Sequence, residues 1–265
     1  MLFNVREWQL KTENRSMDCI SFGRGKKPLI MIQGLNTKGI KGAGFSLALM
    51  YRIFAKDYTV YLFDRIKELP EKYSVREMAA DIAAAMDELG LKNADVFGVS
   101  QGGMIAQYLA IDRPELVGKL VLALTLARSS EKTENAVRGW VDMTVREDNK
   151  AMVLDMAEKM YSATYLKMYK PLLPLLTLMQ APKDRQRFIT LAEACLTCSS
   201  YEELDKISCP VFVIAARQDK IVGAEAGEEI ASKLGCPVYV YEELGHAAYE
   251  EAPDFNKRVL NFLMN

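Results

Sequence analysis

The sequence predicts an α/β fold: a mostly parallel sheet with helices on both faces and a helical segment inserted after the sixth strand. Three observations predict it. Short apolar runs alternate with helical stretches near both ends of the chain, the pattern of βαβ units. The alternation stops between about Arg128 and Tyr201, where the pattern is helical only. One strand–turn–helix passage, Ala94 to Ile111, carries a serine between glycines at its turn.

The elements follow in order. Residues 3–10 and 17–22 read as a hairpin with Asn14-Arg15-Ser16 in its turn. Pro28 to Ile32 is a buried strand followed by Gln33-Gly34-Leu35-Asn36. A glycine-rich loop with Gly39, Gly42 and Gly44 comes next, then a helix from about Phe45 to Ala55. The loop lacks the G-K-[ST] ending of a phosphate loop and reads as flexible. Tyr58 to Phe63 is a strand ended by Asp64-Arg65. Ser74 caps a helix running to Leu89, with Glu77 three residues on as a capping box requires. The serine strand and its helix follow, then the strand Leu120 to Leu124. In the insertion, Val141, Val145, Met152, Met156 and Met160 recur at helical spacing, and Pro171 and Pro174 break a further apolar stretch, Tyr165 to Met179. A helical stretch spans Asp184 to Thr197. Val211 to Ala215 is a strand, Ala224 to Leu234 a helix, Pro237 to Tyr241 a strand and Phe255 to Leu263 a final helix. Residues 1–127 and 202–265 therefore form a core, with 128–201 inserted into it.

Composition narrows the function. With 265 residues, half of them hydrophobic, the chain suits one large domain with an inserted subdomain. The 34 basic and 35 acidic residues leave a net charge of −1 and no basic stripe, which argues against nucleic acid. No apolar run is long enough to span a bilayer, and the mixed-charge stretch Met1 to Asn14 is not a signal peptide. Five scattered cysteines fit a reduced, cytoplasmic protein better than a disulfide framework. The Cys195-x-x-Cys198 pair lies near a helix end rather than at the N-terminus that would activate a thiol, and no second pair completes a zinc site. It reads as structural.

The chemistry concentrates on Gly98-Val99-Ser100-Gln101-Gly102. In a chain this long a G-x-S-x-G string arises by chance roughly one time in ten, so its context matters. A strand before it and a helix after it are the setting of a nucleophile elbow. The turn strains the serine, and side chains at the flanking positions would strike the neighbouring strand and helix, so glycine fits there. A serine hydroxyl also needs a base, and the base needs an orienting group. The chain holds one histidine, His246, after the last strand and before the last helix. Asp219 is the only carboxylate in the loop after Val211 to Ala215. The loop after the preceding strand, Thr125-Leu126-Ala127-Arg128, has no carboxylate until Glu131, the alternative acid.

The Gly98–Gly103 turn, the Asp219 loop, Gly245-His246 with Glu250-Glu251-Ala252-Pro253 after it, and Ile207-Ser208-Cys209-Pro210-Val211 together resemble the α/β-hydrolase superfamily over nearly the whole chain. In particular it resembles single-domain esterase- and lactonase-like members with a small helical cap. The resemblance implies about eight strands, 128–201 as the cap, and Ser100, Asp219 and His246 as nucleophile, acid and base, in the family's chain order. It also implies an oxyanion hole from two backbone N–H groups, those of Gln101 and Leu35, and neither cofactor nor metal. The sequence departs from the family in three places. Gln33 stands where histidine usually precedes the glycine, Ala216 where glycine is common, and no glycines follow Asp64-Arg65.

The reading is a serine hydrolase cleaving a small to medium, largely apolar ester, thioester or lactone, its partner a small acyl substrate. The same residues serve an acyltransferase, perhydrolase or carbon–carbon bond hydrolase, because fold does not decide function. A non-catalytic ligand-binding homologue is the alternative of another class; it would have no use for Asp219 and His246 in those loops. Serine at the elbow disfavours the dehalogenases and epoxide hydrolases, which carry aspartate there. Monomer and homodimer both remain open.

Overall fold

The computed structural model describes residues 2–12, 15–169 and 181–265. Among them eight strands form one sheet: β1 (Arg6–Lys11), β2 (Ser16–Gly23), β3 (Lys27–Ile32), β4 (Tyr58–Phe63), β5 (Ala94–Val99), β6 (Val117–Ala123), β7 (Val211–Ala216) and β8 (Val238–Tyr241). Their spatial order is β1-β2-β4-β3-β5-β6-β7-β8. β1–β2 and β2–β4 pair antiparallel and all other neighbours parallel. After β3 the chain moves outward to β4, then crosses back to place β5 on the other side of β3. That reversal is a topological switch point, and the loops leaving β3 and β5 diverge at its carboxyl end.

Burial explains the strand sequences. β5 is buried at every position, the continuous pattern of a strand covered on both faces. Helices α2 (Val75–Glu88) and α3 (Gln101–Asp112) cover one face with Ile30, Ile32, Val96 and Leu122. α1 (Gly44–Met50) and α10 (Phe255–Met264) cover the other with Leu29, Phe97 and Val121. The capping box of α2 is present: Ser74 Oγ accepts from the Glu77 N–H, and Glu77 returns a bond to the Ser74 N–H. α3 is buried on all sides over Gln101–Ile111 because the sheet and α2 pack against it and Gln101, Tyr108 and Gln107 bond to Leu191, Ser199 and Ser200.

Between β6 and β7 lie α4 (Glu131–Val145), α5 (Asn149–Met160), α6 (Ala163–Tyr169) and α7 (Arg185–Ala194). A bridge between Arg128 and Ser199, and a bond from the Ser200 N–H to the Ala127 carbonyl, bring the two ends of this segment together. The remaining α-helices among the described residues are α8 (Ala224–Leu234) and the short α9 (Ala248–Glu251), which stands between His246 and α10.

Several local expectations are corrected. The hairpin begins at Arg6, because Leu2–Asn4 form a 3₁₀ turn instead. The helix expected to Ala55 stops at Met50; the chain tightens into a 3₁₀ turn, Arg52–Phe54, that buries Phe54 completely. The helix expected over Asp184 to Thr197 ends at Ala194 and continues as a 3₁₀ turn. Val145 is 64% exposed, so it leaves the apolar face assigned to it. The loop expected to be flexible is pinned. The Gly42 and Gly44 N–H groups donate to the Glu7 carboxylate, and the buried Ile40 donates to Asp64 Oδ2. The stretch Tyr165 to Met179 falls largely outside the described residues, as do Pro171, Pro174 and Asn14.

Candidate active site

Ser100 sits between β5 and α3 with φ +55° and ψ −122°. A non-glycine residue held there costs about 1–3 kcal/mol and persists only when its surroundings over-determine it. They do so here. The Ser100 N–H donates to the Ala123 carbonyl, and the Ser100 carbonyl accepts from the Gly103 and Met104 N–H groups and from Thr125 Oγ1 at 2.7 Å. The expected clashes are present too. A Cβ on Gly98 would lie 2.4 Å from the Gly102 carbonyl oxygen, and one on Gly102 would lie 1.9 Å from that of Ile32.

His246 and Asp219, both nearly fully buried, meet Ser100 at the carboxyl end of the sheet. His246 Nδ1 lies 2.7 Å from Asp219 Oδ2, and His246 Nε2 lies 2.9 Å from Ser100 Oγ. An ionised carboxylate only accepts, so Nδ1 carries the imidazole proton. Nε2 is then free to accept from the serine hydroxyl. Asp219 is held in turn by the Ile221 and Val222 N–H groups, at 2.8 and 3.0 Å on Oδ1. Burial alone would push the Asp219 carboxyl up. The charge and hydrogen bond of His246, with the two backbone donors, outweigh it and hold the carboxyl below the usual carboxylate range. Glu131 is exposed in the first turn of α4 and makes no hydrogen bond to His246.

The backbone N–H groups of Gln101 and Leu35 have no intramolecular acceptor among the described residues. Gln101 opens α3, where the first N–H groups of a helix are unpaired. Gly34 brings the loop after β3 against the serine: a Cβ there would lie 3.2 Å from the Ser100 Cβ. Gly34, Leu35, Ser100 and His246 line one cavity of about 50 Å³. Its remaining described wall comes from Met104 and Val99 of the core, Ile221 and Val222 of the Asp219 loop, Tyr249 of α9, and Thr133, Val137, Trp140, Met156, Met160 and Cys195 of the insertion. Among the described residues, no Asp, Glu, Lys or Arg side chain lines it. Trp140 is fixed by donating its Nε1 proton to Asp155 Oδ2 at 2.7 Å. A wider hollow of about 380 Å³ shares Leu35, Met156, Met160 and Tyr249 with this cavity and adds Asn36, Lys38, Tyr161 and Glu250.

Two features were not read from the sequence. Arg65 is 4% exposed and reaches the site from behind, donating from one nitrogen to the Gln33 carbonyl and to Gln101 Oε1. Its only signal was a charged pair closing an apolar strand. Cys195 lines the cavity, with Sγ accepting from Gln101 Nε2 at 3.1 Å. Burial pushes the Cys195 thiol up to about 11 and the Cys198 thiol up to about 12, which suits a structural pair. Among the described residues no cluster of three or more His, Cys, Asp or Glu side chains could hold a metal ion, and no helix is long and apolar enough to cross a membrane.

Comparison with known proteins agrees with this architecture. A family model described as the alpha/beta hydrolase fold matches residues 27–253. The chain is 23% identical over 257 residues to 3-oxoadipate enol-lactonase 2 of Acinetobacter baylyi, covering 94% of each chain. It is 27% identical over 274 residues to a 2-hydroxy-6-oxononadienedioate/2-hydroxy-6-oxononatrienedioate hydrolase of a Pseudomonas species, covering 94% of this chain and 92% of that one. Among solved structures, the enol-lactonase from Burkholderia xenovorans superposes with a TM-score of 0.85 at 19% identity, over 97% of this chain and all of the other.

Proposed function

The chain belongs to the alpha/beta hydrolase family and is an enzyme of it, and on that premise we propose that it cleaves a carboxylic ester, thioester or lactone through an acyl-enzyme on Ser100. The observation that carries this reading is the unbroken hydrogen-bonded line Ser100 Oγ–His246 Nε2 and His246 Nδ1–Asp219 Oδ2 at the mouth of an apolar cavity. In this mechanism His246 takes the Ser100 proton as Oγ attacks the carbonyl carbon. The carbonyl oxygen, now negative, is met by the Leu35 and Gln101 N–H groups. The tetrahedral intermediate collapses, His246 gives its proton to the leaving oxygen or sulfur, and the alcohol or thiol departs or, in a lactone, stays tethered to the acyl chain as the ring opens. Water, deprotonated by His246, then releases the acid and frees Ser100.

We assign residues 128–201 as the cap that supplies the acyl wall. The inner cavity has room for roughly three to five water-sized groups, at about 10–15 Å³ each. The acyl group is therefore short and apolar, and the larger leaving group lies toward the wider hollow. Each methylene buried adds about 0.8 kcal/mol until the space is full. Along a p-nitrophenyl ester series kcat/KM is expected to rise from acetate, peak near butyrate and fall for longer chains. A flat profile, or steady improvement toward long chains, rejects this cavity as the acyl site.

Asp219 is assigned as the group that fixes the imidazole tautomer. Asp219→Asn is expected to lower kcat about 10⁴-fold, because an amide in that place can stabilise the wrong tautomer. Glu131→Gln should leave kcat within about twofold of wild type, the range of an exposed substitution away from the site. Steady-state kinetics of the two variants on one ester decide the matter; a silent Asp219→Asn with an impaired Glu131→Gln reverses the assignment.

A further inference from the structure

We propose that Arg65 is the positioning residue of the oxyanion hole, its guanidinium joining the two backbone segments that present the Leu35 and Gln101 N–H groups. The inference rests on the serine-hydrolase reading above. Those segments leave neighbouring strands, β3 and β5, whose pairing runs only to Ile32 and Gly98, so the sheet ladder stops short of both N–H groups. A tetrahedral oxyanion needs both donors within a few tenths of an ångström of their working positions, about 0.5 Å at most. Arg65 Nη2 donates to the Gln33 carbonyl at 2.7 Å and to Gln101 Oε1 at 3.0 Å. The first acceptor is two residues before Leu35. The second belongs to the residue that carries the other donor.

Each side of this bridge is itself held. Gln101 Nε2 donates to the Leu191 carbonyl at 2.6 Å and to Cys195 Sγ, so the amide is fixed in rotamer and orientation. The Arg65 N–H donates to Asp64 Oδ1 at 2.8 Å, and the Arg65 carbonyl accepts from Arg187 Nη2 at 3.1 Å. The arrangement is expensive for stability. A guanidinium is buried, and its Nε has no partner among the described residues. A buried charge with an unmet donor is commonly less stable than an apolar side chain filling the same space. What the arginine adds, and an apolar residue would not, is a bond to each donor-bearing segment and a positive charge behind the developing oxyanion.

The test uses the full-length enzyme, p-nitrophenyl acetate and a fluorophosphonate probe, whose reaction with serine also places an oxyanion in the hole. Arg65→Met is expected to lower kcat about 30-fold with KM within about twofold, part of the 10²–10³-fold seen when one donor is removed outright. It should slow fluorophosphonate labelling by the same factor and weaken phenylboronic acid, a mimic of the tetrahedral state, in step. Arg65→Lys, which keeps the charge and one donor, should recover part of each loss. A merely structural arginine would lower Tm and the folded fraction while the folded enzyme labelled at the wild-type rate; that result overturns the proposal. If Arg65→Met does not fold, Gln101→Met decides, since it removes the acceptor and leaves the backbone N–H. An unchanged labelling rate in that variant overturns the proposal equally. Failure of the serine-hydrolase reading looks different: the wild-type enzyme itself then takes no label.

Discussion

Ser100→Ala is expected to abolish fluorophosphonate labelling and to lower kcat on an activated ester about 10⁶-fold, the loss that follows when the nucleophile of such a relay is deleted. Both effects follow from the position of Oγ, 2.9 Å from the only histidine of the chain. The fold should survive. The strain at φ +55° is set by the Cβ that alanine and serine share, and the bonds holding this turn run through the Ser100 backbone rather than its hydroxyl. Intact-mass spectrometry of probe-treated wild type and variant, beside their melting curves, checks the prediction. A label retained by the variant, or mapped to another residue, rejects Ser100 as the nucleophile.

His246→Ala is expected to cost about as much, again near 10⁶-fold in kcat, and the double variant Ser100→Ala/His246→Ala no more than either alone. The non-additivity is the informative part. In the proposed mechanism each residue acts only through the other: the hydroxyl is inert without a base, and the imidazole has no proton to move without the hydroxyl. The chain offers no second histidine to substitute. Losses that multiplied in the double variant would mean two independent roles, and near-normal turnover by His246→Ala would mean that another group takes the proton.

The legible part of this protein was whatever local sequence determines. The strand–turn–helix at Ser100 could be read because steric exclusion by neighbouring backbone leaves a glycine signature at residues 98 and 102. The cap of α2 could be read because the Ser74–Glu77 bonds are three residues apart. Asp219 and His246 could be placed because each follows a strand, and strand ends share one edge of a parallel sheet. What could not be read depended on partners distant in the chain. The glycine loop looks free in sequence, and its anchors, Glu7 and Asp64, lie at least 20 residues away on either side. Arg65 reads only as the end of a strand because its acceptors, Gln33 and Gln101, are 32 and 36 positions distant. Helix α1 stops early because the sheet takes up Phe54, an event that propensity does not record.

One junction has a bearing on how such an enzyme can diversify. The Ala247 N–H, next to His246, donates at 2.8 Å to the carbonyl of Met160, the last residue of α5. Two residues on, Ser162 donates through both N–H and Oγ to Glu251. The histidine loop thus borrows part of its backbone support from the inserted helices. Residues 128–201 are therefore not an interchangeable cassette. A graft that replaced them to change substrate preference would also withdraw a carbonyl from beneath the His246 loop. Unless the incoming segment restored that carbonyl, altered selectivity and damaged chemistry would arrive together, and variation that respects the junction is confined to side chains on α4, α5 and α7.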